Sequence, residues 1–253
     1  PLIRERSNDL GYADLLILAV PGATPLSYDS YLAFEKLSVL PVPLVLVVQG
    51  GSDVPRPAEG VPHPHWHDAR TVILEEHESD EAQARLAEAV VEALPEDLRV
   101  AASRRLPGLR KATAASLFSG VALSNATYSL TSGIPEMIPV LNLPLNAADM
   151  LVLTKNQAIM AYRIGLAMGS DTDFSARIKE LLPVIGGGFL WRQIARQLVG
   201  LVPGVGLLPK VAVAYAGTYA TGVIASRWFE TGELINGQAL RQVMKDALED
   251  GRE

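Results

Sequence analysis

From Val211 to Ser226 the chain carries sixteen consecutive residues without a charge, VAVAYAGTYATGVIAS. Ala212, Ala216 and Ala220 recur every fourth position, and so do Thr218, Gly222 and Ser226. On a helix, residues four apart lie one above the other, so the stretch presents two rows of small side chains. Rows of this kind let a neighbouring helix approach closely, in water or in lipid. The pattern predicts a helix over 208–229. A second apolar helix is expected over 188–201, and Val202-Pro203-Gly204-Val205-Gly206 breaks the chain between the two, because Pro cannot continue a helix and Gly turns it readily. A spanning helix needs about 20 apolar residues, and the uncharged run is shorter. Lys210 and Arg227 nevertheless frame it as interfacial anchors would, while Arg192 and Arg196 interrupt the first helix. Length favours a buried helix pair, and a membrane-inserted hairpin stands as the other reading.

The first third has a different texture. Leu15 to Val20 and Val42 to Val48 are unbroken apolar runs, and Val72-Ile73-Leu74 is a short third. Strands without alternation are buried on both faces, as in a parallel sheet. A helix is expected over 28–37 and another over 80–94, with Ser79 as N-cap and Pro95 as its stop. The order β-α-β-loop-β-α points to an α/β layer. Three short strands leave open edges, so further strands are expected from polypeptide outside this segment. Pro1 rather than Met at the start reads as a truncated or processed chain.

Beyond Pro95 no strand signal is convincing, and helices are expected over 95–106, 111–131, 146–168, 175–182 and 234–247. The fold class is therefore α+β: an amino-terminal α/β half-domain of about three parallel strands over 1–94, then an all-α helical bundle over 95–253. The 49% apolar composition supplies a core of Leu, Val, Ile and Ala. A net charge of −6 gives no basic field for nucleic acid. With no cysteine there are no disulfides and no thiolate chemistry, a usage that fits a cytosolic or cytosol-facing protein.

Several clusters are candidates for chemistry. His63, His65 and His67 alternate, so an extended strand would turn all three to one side as metal ligands; a stiff Pro- and His-rich surface loop is the plainer reading. Arg99, Arg104, Arg105, Arg110 and Lys111 could meet phosphates or an anionic membrane, or be paired and solvated. Asp149, Lys155, Asn156, Gln157 and Arg163 lie on one apolar helix, where polar groups are costly unless paired. They are expected to form an ion-pair or amide network that fixes helix register, with Arg192 or Arg196 as partners. Asn125 and Tyr128 add polar atoms that need partners once buried. No G-x-S-x-G, H-E-x-x-H or G-x-x-x-x-G-K-[ST] motif occurs, so no catalytic residue is assigned.

The segment Ala13 to Val20, a helix, and then Pro43-Leu44-Val45-Leu46-Val47-Val48-Gln49-Gly50-Gly51-Ser52-Asp53 resembles the second half of a small GTPase domain. In that family the second strand ends in Asn-Lys-x-Asp, which holds and reads guanine. Here Asn and Lys are absent and Asp53 falls one residue late, so Asp53 alone could carry base recognition. The third strand runs into Glu75-Glu76-His77 where the family has a Ser-Ala dipeptide. The remainder, about Leu94 to Gly232, resembles the helical domain of unknown function that bacteria attach to small GTPases and that ends YcjF-type inner-membrane proteins. Leu106-Pro107-Gly108-Leu109-Arg110, Leu153-Thr154-Lys155-Asn156-Gln157 and the span from Pro203 to Tyr219 carry that likeness. The resemblance implies a degenerate GTPase-like module serving as a scaffold or regulator. A protein partner or a second copy is expected, with peripheral contact at the inner face of the cytoplasmic membrane. No cofactor is expected, and GTP only if a phosphate-binding loop lies upstream of Pro1. The alternatives are the carboxy-terminal part of a working GTPase and an integral membrane protein.

Overall fold

The computed structural model describes residues 10–66, 69–75, 79–133, 142–170, 207–233 and 237–250. The chain divides into two compact units, Pro1–Ala102 and Ser103–Glu253. The first is an α/β layer and the second is helical, giving an α+β protein.

In the first unit the strands β1 (Leu16–Pro21), β2 (Leu44–Gln49) and β3 (Arg70–Leu74) form one sheet in the order β1-β2-β3, with both pairings parallel. Helix α1 (Tyr28–Ser38) follows β1 and helix α2 (Asp80–Ala93) follows β3. Each begins at a serine whose hydroxyl accepts a backbone N–H of the first turn: Ser27 from Ser30 at 3.2 Å and Ser79 from Ala82 at 3.1 Å. The helices cover opposite faces. Leu16, Val20, Leu44, Leu46 and Val48 pack with Phe34 and Leu37 of α1. Val45, Val47, Val72 and Leu74 pack with Ala82 and Ala89 of α2. Central strand β2 is thus buried on both sides from Leu44 to Val48, which is why its sequence shows no alternation. Beyond the strand ends, the backbones of Gly22 and Gly51 touch. A Cβ on Gly51 would stand 2.8 Å from Gly22 Cα.

The second unit consists of helices. After the continuous helix α3 (Glu96–Arg105) and a 3-10 turn at Pro107–Leu109 come α4 (Arg110–Gly133), α5 (Asn142–Ala167), α6 (Leu207–Thr231) and α7 (Gly237–Asp250). The sequence patterns placed each of these within a few residues. The helices expected over 175–182 and 188–201 lie outside the described residues.

Helix α6 is the centre of this unit and packs against α4, α5 and α7. Its small rows allow this: Ala216, Ala220, Ile224 and Ala225 are essentially inaccessible. Two aromatic rings seat on glycines. A Cβ on Gly222 of α6 would stand 2.1 Å from Phe118 Cβ of α4, and one on Gly165 of α5 would stand 2.7 Å from Phe229 Cζ of α6. Phe118 also meets Tyr219 edge-on, with ring centroids 4.8 Å apart. α7 contributes Leu240, Met244 and Ala247, a stripe at i, i+4 and i+7. Among the described residues no helix is long and apolar enough to cross a membrane.

Gly222→Ala is therefore expected to destabilise the helical unit by about 1–3 kcal/mol, because Phe118 cannot move aside without shifting α4. Gly120→Ala, where an added Cβ meets nothing, is expected to stabilise by about 0.5–1 kcal/mol. Urea unfolding followed by circular dichroism compares the two.

Candidate functional site

Two of the polar residues expected to cluster inside the bundle, Asn156 and Gln157, belong to a network of neutral side chains. Asn156 and Gln157 are neighbours on α5. The Asn156 amide donates to Asn125 Oδ1 of α4 at 2.7 Å. Asn125 in turn donates from Nδ2 to Thr218 Oγ1 of α6 at 2.9 Å. Gln157 Nε2 donates to the same Thr218 oxygen at 3.1 Å. The chain of bonds leaves α5, crosses α4 and α6, and returns to α5. Asn125 and Thr218 are inaccessible and Gln157 is 2% exposed. Gln157 Oε1 is buried without a partner among the described residues. Each bond replaces a hydrogen bond to water, so its net worth is modest; losing one partner leaves the other desolvated, and that costs more.

Helix direction brings these residues together. Asn125 meets Thr218 and Lys111 Nζ lies 2.9 Å from Glu230, so α4 and α6 run antiparallel. Gln157 meets Thr218 and Gly165 meets Phe229, so α5 and α6 run parallel.

The other expected members separate from this cluster. Lys155 is exposed rather than buried: it lies two positions before Gln157, on the opposite side of α5, where its ammonium stays hydrated. Arg163 is partly buried on the same helix. Asp149 falls in the first part of α5, where the helix is described and its side chain is not. Arg192 and Arg196 lie outside the described residues.

The basic cluster is largely engaged. Arg99 donates from Nε to Leu94 O at 3.0 Å and from Nη2 to Glu92 O at 3.2 Å. Arg104 Nη1 donates to Leu166 O at 3.2 Å and to Ser170 O at 2.7 Å. These carbonyls belong to the ends of α2 and α5, where a helix leaves acceptors unfilled and carries partial negative charge. The end of α5 is a Schellman cap: Gly169, at φ +94°, donates to Leu166 O and Ser170 donates to Gly165 O.

In the α/β unit Asp53 is exposed, and its Oδ1 accepts the backbone N–H of Val54 at 2.7 Å. His63 and His65 are exposed, with His65 Nδ1 3.8 Å from Glu35 Oε1; His67 lies outside the described residues. Among the described residues no group of three or more His, Cys, Asp or Glu could hold a metal ion.

The remaining candidate surface is the outer edge of β1. Leu16 N–H donates to Pro43 O and Gly22 N–H to Gln49 O, so the even-numbered peptide groups face β2. Those of Ile17 and Ala19 face away from it. Pro21, with no N–H, takes the third outward position. Ile17 is 54% exposed, and the strand carries no charge. The β3 side differs: Arg70 is paired with Glu92 of α2.

No protein-family model matches this chain, and neither does any curated protein or solved structure.

Thr218→Val keeps the side-chain shape and removes the oxygen that receives both amides. It is expected to cost about 1–3 kcal/mol, and Thr218→Ser much less, in the same unfolding measurement. A loss no larger for Val than for Ser would mean that the network contributes packing alone.

Proposed function

We propose that this chain is a non-catalytic scaffold or regulatory protein: a GTPase-like half-sheet joined to a helical unit that takes a protein partner or a second copy. The observation that carries this reading is the β1 edge. Natural edges are guarded by charge, proline, bulges or a covering segment; β1 ends in Pro21 but carries no charge, and among the described residues the N–H groups of Ile17 and Ala19 face away from β2 with no strand beyond them. Such an edge suits an interior strand and is completed by polypeptide from elsewhere.

Support for the absence of catalysis comes from the sequence. The 253 residues contain no phosphate-binding loop, and the position of the guanine-reading motif is held by Gln49-Gly50-Gly51-Ser52-Asp53. Engagement of the Asp53 carboxylate by its own loop agrees with this. The reading places the protein in the cytoplasm, with peripheral contact at the inner face of the cytoplasmic membrane.

The β1 edge also favours a second reading, in which the chain is the carboxy-terminal part of a GTP-hydrolysing enzyme whose phosphate-binding strand pairs with β1. A phosphate-binding loop in the coding sequence ahead of Pro1 would select it.

Calorimetric titration of the chain with GTP and Mg²⁺ is expected to give no saturable heat; micromolar saturable binding would overturn the non-catalytic reading. In the isolated chain the amides of Ile17 and Ala19 are expected to exchange with solvent far faster than those of Leu18 and Val20. Equal protection of all four would mean that a second copy already occupies the edge.

A further inference from the structure

Helix α3 runs without a break across the division between Ala102 and Ser103, so its first half belongs to the α/β unit and its last turn to the helical one. Each half carries an arginine bonded to the end of another helix of its own unit. Arg99 holds Leu94 O and Glu92 O at the end of α2. Arg104 holds Leu166 O and Ser170 O at the end of α5. Both ties are charge-assisted, and both use carbonyls at the end of a helix, where Leu166 O also accepts the Gly169 N–H. Ser103, beside Arg104, is inaccessible, whereas Ala101 between the two arginines is exposed.

We propose that α3 is a coupling strut: loosening of the α2 end in the α/β unit is felt at the α5 end in the helical unit, through α3 and its two arginine ties. Helix ends fray at low cost, and most local opening begins there. An arginine bridging to such an end shares its order, so loss of order at α2 releases Arg99 and the first turn of α3. Helical propagation is cooperative over ten residues, and the last turn then holds Arg104 less firmly. A ligand or partner that orders the α/β unit would by the same route tighten the α5 cap, since coupling is reciprocal.

Native-state hydrogen exchange on the full chain tests this. Val91, 1% exposed on α2 in the α/β unit, is replaced by Ala to loosen that helix. The reporters are the amides of Leu94, bonded to Val90 O, and of Gly169 and Ser170 at the α5 cap. With α3 intact, Val91→Ala is expected to speed all three by about tenfold, leaving the mid-α6 amide of Ala220 unchanged. Adding Ala101→Pro interrupts α3 at an exposed position. It is expected to leave Leu94 fast and return Gly169 and Ser170 to the rates of the Ala101→Pro parent. Ala101→Gly serves if the proline variant does not fold. Acceleration of Leu94 alone with α3 intact overturns the proposal, and so does acceleration of Ala220 together with the rest, which is opening of the whole chain.

Discussion

The helical unit depends on how closely α4 and α6 approach. Phe118 rests where Gly222 has no side chain, so at that level the two helices meet at a separation that leaves no room for a Cβ on α6. Much follows from this. Ala216, Ala220 and Ala225 of α6 are inaccessible because the neighbouring helices close over them. Thr221, at the same level, returns its hydroxyl to Gly217 O of its own helix, the economical solution for a hydroxyl with no room to reach outward. The seam also explains why α6 carries no charge between Lys210 and Arg227: a long ionic side chain would have neither space nor solvent there.

Polar groups that enter such a seam must be compact and electrically neutral. An ion pair between α5 and α6 would require stripping water from two charges, a penalty that mutual attraction often fails to recover. Amides and a hydroxyl avoid most of that penalty while still demanding particular partners. Asn125, Asn156, Gln157 and Thr218 therefore fix the register of three helices, which apolar packing alone leaves looser. The α/β unit solves a different problem with the same economy. β2 is buried on both faces by two helices of opposite side, which leaves β1 and β3 as the two edges of the sheet among the described residues.

Much of this was legible in the chain. Unbroken apolar runs marked parallel strands because burial on both faces removes alternation. Ser79 and Gly169 marked helix ends because one offers an acceptor and the other adopts φ +94°. The existence of a polar network on α5 could be read from Asn156 and Gln157 standing in an apolar helix. Its membership could not. Thr218 is 61 residues from Gln157, and periodicity tells which face a residue occupies but not which helix lies opposite. Charge misled for the same reason. Lys155 was grouped with its polar neighbours, yet two positions along a helix carry a side chain to the opposite side. Asn125 could have been paired with α5 in advance only by knowing that α4 and α5 are antiparallel.

The basic cluster shows how structure changes the meaning of composition. Five cations within thirteen residues, Arg99 to Lys111, look like a surface for phosphates. Two of them are spent on helix carbonyls, and Lys111 is paired with Glu230. A guanidinium bonded to a helix end sits in the negative field of that end, so its charge is compensated before any external anion arrives. Attraction to a phosphate-rich surface scales with cations that remain uncompensated within a Debye length, about 8–10 Å at physiological salt. Contact with an anionic membrane would then have to draw on Arg105 and Arg110 and on residues elsewhere in an acidic chain. Arg99 and Arg104 of α3 are better understood as joints, each setting the end of a helix in its own unit.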